Sequence, residues 1–202
     1  RSEANTRETR SEANTRETRG PMPLVLNGYG AYGLANDPEF SAEVLTLCDQ
    51  GVVWAIAHVR GGGEFGRQWH EAARLSNKQT AFDDFQCVAN FLIEQQWTSA
   101  GQIAALGASA GGLLVAGAAN SAPELFGAVV AQVPFVDGVV TMADASIPLV
   151  ANEWEEWGNP NHPDAFEFVA AYSPMDNIKR RGYPPMLLEA GLWDTRVGLS
   201  PP

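Results

Sequence analysis

The chain has 202 residues, about one domain's worth, and it is 45% hydrophobic and 18% charged, which excludes a wholly disordered or fibrous chain. Thirteen Lys and Arg against 24 Asp and Glu leave a formal net charge of −11. That charge repels nucleic acid and anionic membrane surfaces as partners and is compatible with a cationic substrate. Cys48 and Cys87 make neither a disulfide framework nor a zinc site, and both are expected as buried, reduced core thiols. No apolar run reaches the ~18 residues of a membrane span, and the N-terminal stretch has no apolar signal region. A cytoplasmic location is the default, with the periplasm as the alternative.

Residues 1–9, RSEANTRET, are repeated letter for letter in residues 10–18. The stretch has no large apolar side chain and cannot bury anything, so residues 1–20 are expected to be a polar segment outside the fold, disordered or a lone solvated helix. Removing the five Arg and four Glu of residues 1–19 leaves 8 basic against 20 acidic groups, so the acidity belongs to the domain expected over 21–202.

From Pro23 onward, β-rich and helical patterns alternate. Pro23–Asn27 reads as a buried strand, followed by the glycine-rich loop Gly28–Gly33. A helix is expected over Phe40–Asp49, from the spacing of Phe40, Val44, Leu45 and Leu47, with Gly51 stopping it. Val52–Val59 is an uninterrupted apolar run, as in a strand covered on both faces. The stripe Phe82, Phe85, Ala89 and Leu92 predicts a helix from Thr80 to Gln96, opened by a capping box of Thr80 and Asp83. Ile103–Leu106 is a strand, Gly111–Ala119 a small-residue helix, Ala128–Val133 a strand and Pro185–Ala190 another. Residues 135–183 form an insert rich in Trp, Pro and acid. The order predicts an α/β fold with a mostly parallel, doubly wound sheet.

Gly107-Ala108-Ser109-Ala110-Gly111 matches G-x-S-x-G between a β-rich run and a helix, the context in which this motif holds a nucleophilic serine on a strained strand-to-helix turn. Side chains at the flanking glycines would collide, and the following helix aims its free N–H groups at the serine. Ser109 is therefore the candidate nucleophile and the Ala110 N–H a candidate oxyanion donor. A plain glycine turn packing a helix onto the sheet is the alternative. A serine needs a base, and the base an orienting acid. Asp194, just past the strand Pro185–Ala190, stands at the face where such an acid belongs, unless it merely pairs with Arg196. In this fold the order is Ser, acid, His, yet His58, His70 and His162 all precede Asp194, so the chain is expected to lack its general base.

These motifs, with Arg60-Gly61-Gly62-Gly63-Glu64-Phe65-Gly66 and with Asn77-Lys78-Gln79 ahead of Phe82-Asp83-Asp84-Phe85, resemble the catalytic domain of the prolyl oligopeptidase family of serine peptidases. Val133-Pro134-Phe135-Val136-Asp137, Ser146-Ile147-Pro148-Leu149 and Glu153-Trp154-Glu155-Glu156-Trp157-Gly158-Asn159-Pro160 are most similar to the oligopeptidase B branch. The likeness runs from about Pro21 to Val197. It implies an α/β-hydrolase fold and hydrolysis of short peptides through an acyl-enzyme. It also implies a Tyr29 hydroxyl in the oxyanion hole beside Ala110, and Arg196 on a substrate carbonyl. Glu153 and Glu155 would be an acidic pair that takes Arg or Lys before the cut, which suits a guanidinium seeking carboxylate oxygens. Within the family, cleavage after proline is the rival, with Trp154 stacking on the ring. Asn27 stands where a Tyr is usual, and a looser oxyanion loop is expected from it. None of the family's β-propeller is seen, and the pattern stops after Val197. The last strand, last helix and catalytic His are then missing, so a truncated gene product, inactive alone or a non-catalytic remnant, is expected.

No cofactor or metal is expected. Gly61, Gly63 and Gly66 fit G-x-G-x-x-G but lack the helix and acid that dinucleotide binding requires, and no histidine pair has zinc spacing. His58 is expected to be packed. Trp154 and Trp157 read as core more than as a binding platform.

Overall fold

The computed structural model describes residues 20–194, so the repeat and Arg196 lie outside the described residues. Five strands form one parallel sheet in the order β2-β1-β3-β4-β5: β1 Leu24–Gly28, β2 Val53–Ala57, β3 Ile103–Ala108, β4 Phe126–Gln132 and β5 Met186–Glu189. The helices are α1 Ala42–Asp49, α2 Arg67–Glu71, α3 Gln79–Glu94, α4 Ala110–Ser121, α5 Gly138–Ala143, α6 Val150–Trp157 and α7 Pro163–Tyr172. The chain leaves β1 toward β2 on one side, and β3 and β4 follow on the other. With right-handed crossovers, α1 covers one face of the sheet while α3 and α4 cover the opposite one. The strand order therefore reverses between β1 and β3, and that crevice is where ligands bind in open parallel sheets.

The core lies between the sheet and the α3–α4 layer. Leu24, Leu26, Ile103 and Val129 meet Phe82, Phe85, Leu113 and Leu114, all essentially without exposure. The stripe read from α3 packs as expected, with Phe82, Phe85 and Ala89 buried and Leu92 half-buried. α4 buries nine of its twelve residues, which its alanines and glycines permit by letting backbone approach backbone.

Several local expectations are corrected. Phe40 is not helical but precedes the Ser41 N-cap and is exposed, and α1 buries none of its residues. With so thin a cover, β2 is an edge strand among the described strands and stays half-exposed over Val53–Ile56. The capping box at Thr80 does not form. A 3-10 turn over Leu75–Asn77 runs straight into α3, Lys78 takes the cap position in helical backbone, and Gln79 binds the Asp83 carboxylate. Asp84 instead grips Arg60 with both oxygens, at 2.6 and 2.8 Å, and accepts the Arg60 N–H, tying α3 to the loop after β2. Both thiols are exposed, because Cys87 sits two residues from each of Phe85 and Ala89, on the outer face of α3, and Cys48 lies in the last turn of α1, which buries none of its residues. His58 is likewise exposed. The insert read only by composition folds as α5, α6 and α7, which pack on one another. α6 and α7 also touch the 3-10 turn before α3. Among the described residues, no helix is long and apolar enough to cross a membrane.

Candidate active site

Ser109 connects β3 to α4 with φ 55° and ψ −115°, a left-handed backbone that costs a non-glycine residue about 1–3 kcal/mol. The surroundings hold it there. Its N–H donates to the Gln132 carbonyl at 2.8 Å, and its own carbonyl accepts from Gly112 at 2.9 Å and Phe135 at 3.1 Å. The two motif glycines are explained by contact. A Cβ on Gly107 would fall on the Gly111 backbone, and one on Gly111 would lie 2.5 Å from the Gly28 carbonyl oxygen. Those contacts press the start of α4 against the end of β1, at the point where the strand order reverses. Ala110 opens α4, so its N–H has no partner within the helix.

Ser109 and Ala110 open onto a cavity of about 460 Å³, whose walls also carry Tyr29, Tyr32, Glu153 and Asp194. Tyr29 follows β1, Asp194 follows β5 by way of a turn closed by its N–H on the Gly191 carbonyl, and Glu153 comes from α6. The aromatic wall is Tyr32, Phe135 and Trp157, with Trp157 edge-on to Tyr32 at 5.5 Å between centroids. Among the described residues, six non-glycine residues have positive φ, and four of them, Tyr32, Ser109, Val133 and Leu149, line this one cavity. Positive-φ residues of this kind cluster at ligand-binding and catalytic sites, which makes this cavity the candidate site.

The acidic pair divides. In α6, successive residues turn by about 100°, so residues two apart face away from each other. Glu153 faces the cavity and Glu155 is exposed on the other side; Glu156, three residues on from Glu153, shares its face and is 5% exposed. The Glu153 carboxylate accepts the Tyr32 hydroxyl at 2.6 Å, and that hydroxyl accepts the Trp157 indole N–H at 2.7 Å. Burial, then the bond to Glu153, hold the Tyr32 phenol well above its ordinary titration range. Trp154 does not line the cavity; its indole donates to the Met142 carbonyl at 2.9 Å and its ring packs on the core. Trp157 does both, being 1% exposed and also part of the wall.

Behind the cavity lies a cluster that sequence reasoning missed. Glu156 accepts the Tyr32 N–H at 3.0 Å, sits 2.6 Å from His70 Nε2 and 3.6 Å from the Lys78 ammonium. Lys78 is 1% exposed, donates to the Gly30 carbonyl at 3.1 Å and lies over the Trp157 ring. Burial pushes the Lys78 ammonium down to about 8, against the upward pull of Glu156. The helical phase of α6, Glu153, Glu156 and Trp157 at i, i+3 and i+4, is the signal that could have found Glu156. Asn27 does not loosen its surroundings. Its carboxamide donates to the Leu106 carbonyl at 3.2 Å and accepts from Asn36 at 2.9 Å, stitching β1 to β3 and to the following loop.

None of the three histidines, His58, His70 and His162, lines the cavity; His58 Nε2 meets the Asn36 carbonyl at 3.2 Å, and His162 stands at the N-cap position of α7 without a side-chain bond to the helix. Among the described residues, no group of three or more His, Cys, Asp or Glu could hold a metal. The loop carrying Gly61, Gly63 and Gly66 is joined to the end of the Gly28–Gly33 loop and to the next residue through backbone bonds, Gly33 N–H to Gly61 O and Gly63 N–H to Leu34 O, both at 3.0 Å.

A serine on a strained turn, at the reversal point of a parallel sheet and under a helical insert, defines an α/β-hydrolase catalytic domain. Residues 38–202 match the model of the prolyl oligopeptidase family. The chain belongs to that family of serine peptidases. It is 48% identical to Protease 2 of Moraxella lacunata over 91% of this chain and 26% of that protein. It is 44% identical to dipeptidyl aminopeptidase BI of Pseudoxanthomonas mexicana over 88% of this chain and 25% of that protein. Among solved structures, oligopeptidase B from Leishmania major superposes with a TM-score of 0.86 at 48% identity, over 89% of this chain and 25% of the other. Oligopeptidase B from Trypanosoma brucei, with covalently bound antipain, gives 0.87 at 45%, over 93% and 26%. The chain thus spans about a quarter of the length of the relatives it matches.

Proposed function

We propose that this chain carries the nucleophile, the oxyanion hole and the cation pocket of an oligopeptidase that cuts short peptides after Arg or Lys. The observation that carries the reading is the single cavity shared by Ser109, Ala110, Tyr29, Asp194 and Glu153. In this reading residues 21–202 form one catalytic unit and residues 1–20 stand apart from it. The Ser109 hydroxyl oxygen attacks the carbonyl carbon of the scissile bond and gives up its proton to a base. The negative charge that develops on the carbonyl oxygen is met by the Ala110 N–H and the Tyr29 hydroxyl. As the tetrahedral adduct collapses, the peptide C–N bond breaks, the amine leaves with a proton, and an ester to Ser109 remains for water to hydrolyse.

Glu153 supports the choice of cation. A carboxylate on an aromatic wall suits a guanidinium, which takes carboxylate oxygens on its edge and aromatic rings on its face. Tyr32 occupies Oε2, and among the described residues Oε1 takes no hydrogen bond. Glu155, on the far side of α6, is left out of this pocket, and Trp154, turned to the Met142 carbonyl, weakens the proline alternative. Asp194 serves as the acid that orients the base. None of His58, His70 and His162 lines the cavity, so the base is a group that the described residues do not hold; where no base reaches Ser109, a second reading applies, in which the chain binds peptides without cutting them.

Matched aminoacyl-aryl amides with Arg, citrulline and Pro next to the cut test both readings on the unsubstituted chain. Where a base reaches Ser109, faster cleavage of the Arg substrate than of the citrulline and Pro ones is expected, lost in Ser109→Ala and reduced in Glu153→Gln with the slower citrulline turnover unmoved. Binding of the Arg substrate to a folded chain with no cleavage supports the second reading. Faster cleavage after Pro overturns the cation pocket.

A further inference from the structure

Glu156 is buried and does not line the cavity, so no substrate can reach it, yet its partners belong to both ends of the site. Its Oε1 takes the backbone N–H of Tyr32, a residue held at φ 59° in the loop that also carries Tyr29. The Tyr32 side chain then reaches across to Glu153, one helical turn before Glu156. The Lys78 ammonium, 3.6 Å from Glu156, holds the Gly30 carbonyl, next in the chain after Tyr29. His70 closes the far side at 2.6 Å from Oε2. The loop of the oxyanion tyrosine and the helix of the specificity carboxylate are therefore joined through one buried anion.

We infer that Glu156 is a positioning residue: by way of Tyr32 it sets the Glu153 carboxylate and the Tyr29 loop as one unit, so that recognition of the cation and geometry of the oxyanion hole are coupled. The inference rests on the reading of Glu153 as the cation carboxylate. Tyr32, whose phenol bridges Glu153 and the Trp157 indole, is the link. A buried group with only a structural role would weaken every ligand alike, whereas a positioning role shows in the preference of the cation over its neutral isostere.

Nα-acetyl-arginine amide and Nα-acetyl-citrulline amide titrated into the chain, followed by NMR, read that preference directly. Glu156→Gln and Tyr32→Phe are each expected to lower the arginine-over-citrulline ratio by about three- to tenfold, and the double variant to lower it no further than the worse single one. If Glu156→Gln does not fold, Glu156→Asp, which keeps the charge and withdraws it by one methylene, takes its place. Fully multiplicative effects, or an unchanged ratio in a folded Glu156 variant, overturn the coupling. If the unsubstituted chain has no arginine preference and Glu153→Gln changes nothing, the cation reading is what fails. Amide exchange without ligand then judges the link alone. Faster exchange of the Tyr32 N–H in the Glu156 variant supports it, and unchanged exchange overturns it.

Discussion

Gly111→Ala tests the apposition on which the serine turn depends. The added methyl would sit 2.5 Å from the Gly28 carbonyl oxygen and 3.5 Å from Tyr29 Cα. Carbon and oxygen ordinarily keep about 3.3 Å, so α4 and the end of β1 must part by roughly 0.8 Å. Neither can yield cheaply, since β1 is paired on both sides and Ser109 is bound to Gln132 and Phe135. Overpacking of this kind costs about 1–3 kcal/mol, and the better helix propensity of Ala returns up to about 1 kcal/mol. The expected net loss is therefore about 1–2 kcal/mol in urea denaturation. The effect on chemistry is larger, because a displacement near 1 Å between reacting groups costs about a hundredfold in rate. Phosphonylation of Ser109 by a fluorophosphonate, relative to the unsubstituted chain, measures it. Gly182→Ala, where the new methyl meets nothing within 4 Å, is the control and should leave both quantities unchanged. A Gly111→Ala chain that reacts within about threefold of the unsubstituted rate would refute the claim that this contact sets the serine's geometry.

Other expectations follow from the same contacts. Trp157→Ala removes a side chain 1% exposed and should cost about 3–5 kcal/mol in denaturant unfolding, whereas Trp193→Ala, at 89% exposure, should stay within about 0.5 kcal/mol. Lys78 titrates near 8 in the folded chain and about 10.4 unfolded, so between those values the unfolded chain holds more protons and stability rises with pH. Tyr32 and Tyr172, held high chiefly by burial, reverse that slope above about pH 10, and Lys78→Met should flatten the rise seen by chemical denaturation at pH 8 to 9.5. Cys48 and Cys87 should both react with a thiol reagent in the folded chain, and protection of either would contradict its exposure.

What the sequence makes legible follows from the kind of signal each element carries. β1, β3 and β4 are apolar runs, and they lie within one or two residues of where those runs place them. The stripe on α3 needs no partner to be recognised. The serine turn is readable because its glycines answer a contact that any such turn must make. The insert is a different case: Pro, Trp and acid obscure the period of α5, α6 and α7, and without the phase of α6 the resemblance alone pairs Glu153 with Glu155. The helix instead presents Glu153, Glu156 and Trp157 together. Thr80 fails as a cap because a 3-10 turn upstream, with Leu75 at φ 53°, already supplies the carbonyls and carries the helix past it. Lys78 and His70 have no local pattern at all, since their roles arise from contact with Glu156, 78 and 86 residues away in sequence respectively.

Ser109 and Glu153 are tested together by mass-spectrometric mapping of the chain after treatment with a diphenyl phosphonate bearing an amidine side chain, beside its neutral analogue. A single adduct on Ser109 is expected, formed faster with the amidine, absent in Ser109→Ala and with the preference removed in Glu153→Gln. An adduct elsewhere would contradict Ser109 as the nucleophile, and equal rates for the two reagents in the unsubstituted chain would contradict Glu153 as the cation carboxylate.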